Sequence, residues 1–237
     1  MKYLIYLAAV LGSLLALPAH AQKTKVKTKG AATTVNRQLA LFGGVTPEAA
    51  QAFMGEAFLK GIDQNFASRA EASRFFANKG YEYFTEGQPD TARYRFNLAW
   101  MLDPQNADAY RGLGLLTSST ALDESIGLLE KGLAVSAGAT QAVLHSDLGA
   151  SYLLRYEKTK KSKDLKTALE HLNQAVTLDA NNSYAYQQLG RAYYLQGEYA
   201  KAWEAVHKGR SHSLQGVDFG FISELVAKMP DPQGVFK

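Results

Sequence analysis

The residues of this 237-residue chain that could do chemistry are five histidines, 22 carboxylates and scattered hydroxyls, with no cysteine at all. Without cysteine there is no disulfide, no thiolate nucleophile, no cysteine metal ligand and no lipid attachment through sulfur. His145, His171, His207 and His212 stand in the C-terminal half. His207 and His212 are five apart, on different faces of a helix, where a helical zinc site needs an i, i+4 pair with an intervening Glu. A metal site is therefore disfavoured. The hydroxyl run Thr117-Ser118-Ser119-Thr120 has no histidine nearby in sequence to activate it and reads as a polar turn. Gly112-Leu113-Gly114 lacks the third glycine and the preceding strand of a phosphate loop. No pair of carboxylates is singled out as acid and base. The residues thus name no catalytic group, cofactor or metal, and a non-catalytic role is expected.

The elements that must position these residues follow from an internal period. Gly80, Gly114, Gly149 and Gly190 are spaced 34, 35 and 41 apart. Four residues before each stands a ring (Phe76, Tyr110, His145, Tyr186), and this slot gives His145 a packing role. Each unit has a second half in which small residues recur seven apart: Ala92/Ala99, Ser125/Gly132, Ala168/Ala175 and Ala202/Gly209. A larger apolar residue stands four after the first of each pair, as Phe96, Leu129, Leu172 and Val206. Positions three, four and seven apart share one helix face, so each half is an amphipathic helix whose small residues admit a close neighbour. Gly87-Gln88-Pro89-Asp90 and Gly197-Glu198 are the turns between halves. A single pair cannot bury its apolar stripe, so stacked pairs must share one core.

These residues resemble the tetratricopeptide repeat. Phe76-Gly80-Tyr83, Ala92-Phe96-Ala99 and Pro104 follow nearly the whole family pattern, and Tyr186-Leu189-Gly190-Tyr193 with Ala202 follows it almost as well. The second unit departs at Thr117, and the third carries seven additional residues around the Lys-rich stretch Tyr156 to Lys163. The resemblance implies an all-α, right-handed superhelical solenoid of antiparallel helix pairs, with repeats at 73–105, 106–138, 141–181 and 182–214. It further implies a concave groove lined by the first helix of each pair. On this sequence that face carries Arg74, Ala77 and Tyr81, then Arg111 and Leu115, then Ser146 and Ala150, then Tyr184, Gln187, Arg191 and Tyr194. Arg74, Tyr81, Arg111, Leu115, Tyr184, Gln187, Arg191 and Tyr194 are the partner-binding candidates, since Tyr and Arg are enriched at interface hot spots. Ala77 and Tyr81 stand where the family's carboxylate-gripping groove uses Lys and Asn, so capture of a peptide C-terminus is not expected.

The ends complete the organisation. Met1-Lys2, the uncharged apolar run Tyr3 to Leu17, Pro18 and Ala19-His20-Ala21 have the layout of a secretory signal peptide over residues 1–21. Residues 22–45 read as a flexible basic linker, and 46–72 as an N-terminal capping region whose helix starts at Thr46-Pro47-Glu48 and runs to about Ile62. Phe221, Ile222, Leu225, Val226 and Met229 mark a C-terminal capping helix over 215–229, followed by a loose tail, 230–237. The net charge of +4 is local: six of the 26 Lys and Arg precede Pro47, where no Asp or Glu occurs, leaving 20 against all 22 acids. No nucleic-acid surface is therefore expected. The functional expectation is a scaffold or adaptor of the bacterial cell envelope that binds a protein or peptide. It is periplasmic, or else at the outer-membrane periphery or secreted, with no transmembrane segment after signal cleavage. The alternatives are an envelope hydrolase with an unrecognised site and a self-associating structural subunit.

Overall fold

The computed structural model describes residues 24–25, 34–214 and 217–237, in which nearly everything is helical. The expected signal peptide, residues 1–21, lies outside the described residues. A two-residue antiparallel pairing joins β1, Thr24–Lys25, to β2, Thr34–Val35. The chain divides into two compact units, Met1–Leu102 and Asp103–Lys237.

The first unit holds the short turn α1 (Leu41–Gly44), then α2 (Pro47–Met54), α3 (Glu56–Asn65), α4 (Arg69–Thr85) and α5 (Pro89–Leu102). Thr46 caps α2 by accepting from the Ala49 N–H, with Pro47 in the first turn, as its sequence dictates. The single helix expected to Ile62 is broken in two at Gly55, whose φ of 85° no β-carbon-bearing residue adopts easily. The expected linker is also corrected: from Thr34 onward the chain is packed. Val35 and Phe42 are fully buried, Asn97 Nδ2 donates to the carbonyls of Arg37 and Leu39, and the Arg37 guanidinium lies 5.2 Å from the ring centres of both Phe53 and Tyr94. Burial of Val35, Leu41 and Phe42 holds the segment in place.

The second unit holds three helix pairs and a terminal helix. The pairs are α6 (Ala107–Thr117) with α7 (Leu122–Val135), α8 (Ala139–Thr159) with α9 (Ser162–Leu178), and α10 (Ser183–Gln196) with α11 (Tyr199–His212); α12 is Phe219–Val226. Each pair packs on the next, and the first helices α6, α8 and α10 also touch in series, so together they make one face. The core between pairs is built from Leu129, Leu144, Leu148, Leu172 and Leu189, all nearly inaccessible.

The repeat works through its glycines. A β-carbon on Gly80 would lie 2.6 Å from the Phe96 ring, on Gly114 2.9 Å from Leu129, and on Gly149 2.5 Å from Leu172, so each bulky residue of the second helix seats on the bare backbone of the first. Gly190 is looser, at 3.2 Å from Val206. Gly149→Ala is accordingly expected to destabilise by about 2 kcal/mol through overpacking. Gly190→Ala should be near neutral, its contact offset by the roughly 1 kcal/mol helix preference for Ala. Urea denaturation of the two variants side by side checks this; equal losses would contradict the seating.

The C-terminal tail also departs from expectation. Instead of hanging loose, it folds back on α11. Asp231 accepts from the backbone N–H groups of Gln233, Val235 and Phe236, and its Oδ1 lies 2.6 Å from His207 Nε2. Trp203, His207 and Phe236 stack with ring centres 5.6 to 5.9 Å apart, and Trp203 Nε1 donates to the Met229 carbonyl.

Candidate partner-binding cleft

Within the second unit, the face made by α6, α8 and α10 contains a cleft of about 330 Å³ lined by Arg111, Val143, Ser146, Asp147, Asn182 and Tyr184. Arg111 comes from the middle of α6, Asp147 from the corresponding stretch of α8, and Tyr184 from the first turn of α10. Three successive repeats contribute because the same face recurs in each first helix, with α8 supplying Val143 and Ser146 as well as Asp147. The α10 start is fixed by Asn182, whose Oδ1 accepts from Ala185 N–H while its Nδ2 donates to Ser146 Oγ at 2.9 Å. Ser146 in turn donates to the Ala142 carbonyl, so the cap of one repeat is anchored to the first helix of the previous one.

At the floor, Arg111 Nε donates to Asp147 Oδ2 at 2.6 Å; the Asp147 side chain is 7% exposed and that of Arg111 24%. Burial pushes the Asp147 carboxyl above its ordinary range, and the Arg111 charge only partly reverses this. Tyr184 keeps 41% of its surface in solvent, yet its phenol is pushed up to about 12, first by desolvation and then by the Asp147 charge, with Arg111 opposing. Val143, also exposed, completes an apolar rim with Tyr184. A carboxylate buried at a net cost, in a cleft with an aromatic and an aliphatic rim, makes this the candidate site.

Of the residues singled out from sequence, the structure brings together Arg111 and Tyr184, with Ser146 between them. Leu115, one turn beyond Arg111, is half-buried. Gln187 instead lines a separate small cavity with Val206, Phe221 and Ile222. Arg191 pairs with Glu157 at 3.0 Å, reaches Glu224 at 4.0 Å and lies over the Phe221 ring. Tyr194 packs against the rings of Tyr199 and Phe221, so both residues hold α12 in place. In the first unit, Arg74 is exposed, Ala77 is buried, and Tyr81 packs edge-on to Phe96 at 4.9 Å. Sequence reading missed Asp147 and Asn182. The available signal was register: Asp147 lies 36 residues after Arg111, one repeat plus one or two positions, which places it beside Arg111 on the neighbouring helix.

The histidines are distributed as packing elements. His145 Nδ1 lies 2.9 Å from His171 Nδ1, and Tyr152 stacks on His171 while donating to Glu130. His212 stacks on Tyr186, separate from the His207–Asp231 contact. Among the described residues, no group of three or more His, Asp or Glu is arranged to hold a metal ion, and no helix is long and apolar enough to cross a membrane.

Solved structures share this arrangement. PilW, described as a widely conserved type IV pilus biogenesis factor, superposes with a TM-score of 0.57 at 15% identity over 75% of this chain and 80% of its own. TTC0263, a thermophilic tetratricopeptide-repeat protein of Thermus thermophilus, gives 0.54 at 18% identity over 66% and 87%. The chain has the tetratricopeptide-repeat fold. The segment of MamA from residue 41 to its end, from Desulfovibrio magneticus RS-1, gives 0.52 at 16% identity over 68% and 86%. No protein-family model matches the chain, and no curated protein matches it by sequence. At these identities the tetratricopeptide likeness is one of fold, carried by the glycine-seated helix pairs.

Proposed function

We propose that this protein is a non-catalytic scaffold of the bacterial cell envelope that binds a protein or peptide through the Arg111–Asp147–Tyr184 cleft. The observation that carries this reading is the buried Arg111–Asp147 pair at the floor of an open cleft rimmed by Val143 and Tyr184. The pair cancels its own charge, so the cleft favours neither an anionic nor a cationic ligand. It offers the Tyr184 hydroxyl and the remaining capacity of the half-buried Asn182 amide beside an apolar rim, which suits an extended peptide: main chain to these polar groups, one apolar side chain to Val143 and Tyr184. The envelope assignment rests on the signal-peptide layout of residues 1–21.

The test is a photo-crosslinking amino acid placed at Val143 in the full chain, expressed in its own cell, with Glu170 on the exposed face of α9 as the comparison site. A discrete crosslinked partner from position 143 only, reduced at least tenfold by Tyr184→Ala, is expected; Tyr184→Ala removes a rim aromatic, a typical hot-spot loss of about 2 kcal/mol. The same products from both sites, or products indifferent to Tyr184, would remove the cleft from the reading. Fractionation of the same cells checks the envelope assignment independently.

A further inference from the structure

The seven residues that lengthen the third repeat form a second surface, unrelated to the cleft. Past Gly149, α8 continues to Thr159, four residues further than α10 continues past Gly190, and α9 starts three residues earlier before Ala168 than α11 does before Ala202. At about 1.5 Å per residue this hairpin overhangs that of the following repeat by roughly 5 Å. Its tip carries Lys158, Lys160, Lys161 and Lys163, all exposed.

The acids around this tip are already engaged. Arg155 bridges Asp164 at 2.8 Å and Asp123 at 2.9 Å, tying the overhang to the start of α7, and Glu157 is held by Arg191. Asp164 is held below the usual carboxylate range, chiefly by the Arg155 hydrogen bonds. Lys158 stands at the negative end of α8, and Lys160 lies over the Tyr156 ring. These local contacts leave the four ammonium groups facing solvent. The hollow beneath them, about 450 Å³, is lined by Arg155, Lys158, Lys161 and Lys163 and by Asp123 and Asp164, both carboxylates already paired to Arg155. The guanidinium lining that hollow, Arg155, could fork a phosphate, but its donors are committed to carboxylates. Point charges on flexible stems, projecting from the crest of an overhang with a carboxylate behind them, match a broad anionic plane rather than a discrete anion.

We propose that the Lys158–Lys163 tip docks the protein on an anionic phospholipid surface. The test is sedimentation of the full chain with vesicles of phosphatidylcholine alone or with 40% phosphatidylglycerol, at low and high salt. Two variants are compared: the four tip lysines changed to Gln, and Lys23, Lys25, Lys27 and Lys29 changed to Gln. Any apolar contribution common to both vesicle types cancels when the measure is the gain on adding phosphatidylglycerol. The tip variant is expected to reduce that gain by up to roughly 1,000-fold in partition coefficient at low salt, following the usual attraction of about 1 kcal/mol per lysine to an anionic surface. High salt should abolish the gain in the unaltered chain, and millimolar inorganic phosphate should leave it in place. Circular dichroism checks that the variants remain folded. An unchanged gain in the tip variant overturns the proposal. So does competition by millimolar phosphate, which would assign the tip to the free anion. Tip-dependent binding of polyglutamate without vesicle binding would likewise replace the membrane by an acidic polypeptide. Failure of any of these leaves the cleft reading untouched.

Discussion

Arg111→Ala is expected to destabilise the protein by roughly 2–4 kcal/mol, whereas Asp147→Asn should cost little or nothing. The asymmetry follows from burial. Asp147 is almost wholly out of water, and its charged partner is a guanidinium 2.6 Å away. Removing the partner leaves a buried carboxylate uncompensated, which costs several kcal/mol in such pairs; the lower part of that range applies because Arg111 keeps a quarter of its side chain in solvent. Neutralising the carboxylate removes a charge whose burial was unfavourable to begin with, and leaves a group that still accepts from Arg111. The pH dependence has a defined sign. Because burial raises the Asp147 carboxyl in the folded state, the folded form holds that proton more tightly than the unfolded chain, so stability from this site is greatest at low pH and falls as the carboxyl ionises. The Arg111→Ala deficit should thus be largest near neutrality and shrink as the pH is lowered toward 4. Combining Arg111→Ala with Asp147→Asn should restore most of the loss. Urea titrations of the four proteins at pH 7 and pH 4.5 decide it; additive losses in the double variant would mean that the pair is not coupled.

The second large effect concerns the C-terminus. Asp231→Ala removes the acceptor for three backbone N–H groups and for His207 together. A loss of about 2–4 kcal/mol is expected, limited because the freed N–H groups regain water once the tail peels away. Burial alone would raise the Asp231 carboxyl; the hydrogen bonds from Phe236, Gln233, His207 and Val235 outweigh it and bring it down to about 2. A depressed folded-state carboxyl stabilises at pH values above the unfolded carboxylate range, and that contribution is lost as the pH falls from about 4 toward 2. In a Trp100→Phe background, Trp203 is the remaining reporter of the Trp203–His207–Phe236 stack. Asp231→Ala should expose it to acrylamide at neutral pH, and the unaltered tail should do the same only in acid. Trp203 quenching indifferent to both changes would show that the tail is not held by Asp231.

The two substitutions bear on residues of unequal legibility. Arg111 and Tyr184 were visible as groove candidates because they recur on the face that every first helix repeats. Asp147 was not, since nothing in its neighbourhood distinguishes it from a solvated acid until α6 is laid beside α8. Arg191 and Tyr194 share the same helix face in projection, yet α12 and the end of α8 take them as packing partners. Asp231 was hidden by a different circumstance. Its Pro- and Gly-containing surroundings, Pro230-Asp231-Pro232-Gln233-Gly234, carry the composition of a tail, while its effect depends on His207 and Trp203 some 25 residues earlier. The packed stretch from Thr34 to Val45 was similarly masked by the lysine run before it.

By itself the sequence determined the helix pairs, their order and the contact that joins each pair, because Gly80, Gly114 and Gly149 seat Phe96, Leu129 and Leu172 on bare backbone and Gly190 with Val206 repeats the pairing more loosely. Periodic, near-neighbour packing leaves its record in the residues themselves. Only the tertiary structure decided which inner-face side chains line the open cleft and which pack against a neighbouring helix. Two of the pairings it made (Arg111 with Asp147, Arg191 with Glu157) join residues about one repeat apart, 36 and 34 positions, whereas Asp231 with His207, 24 apart, follows no period. Asp147 and Asp231 are held because folding takes each carboxylate out of water and brings donors to meet it.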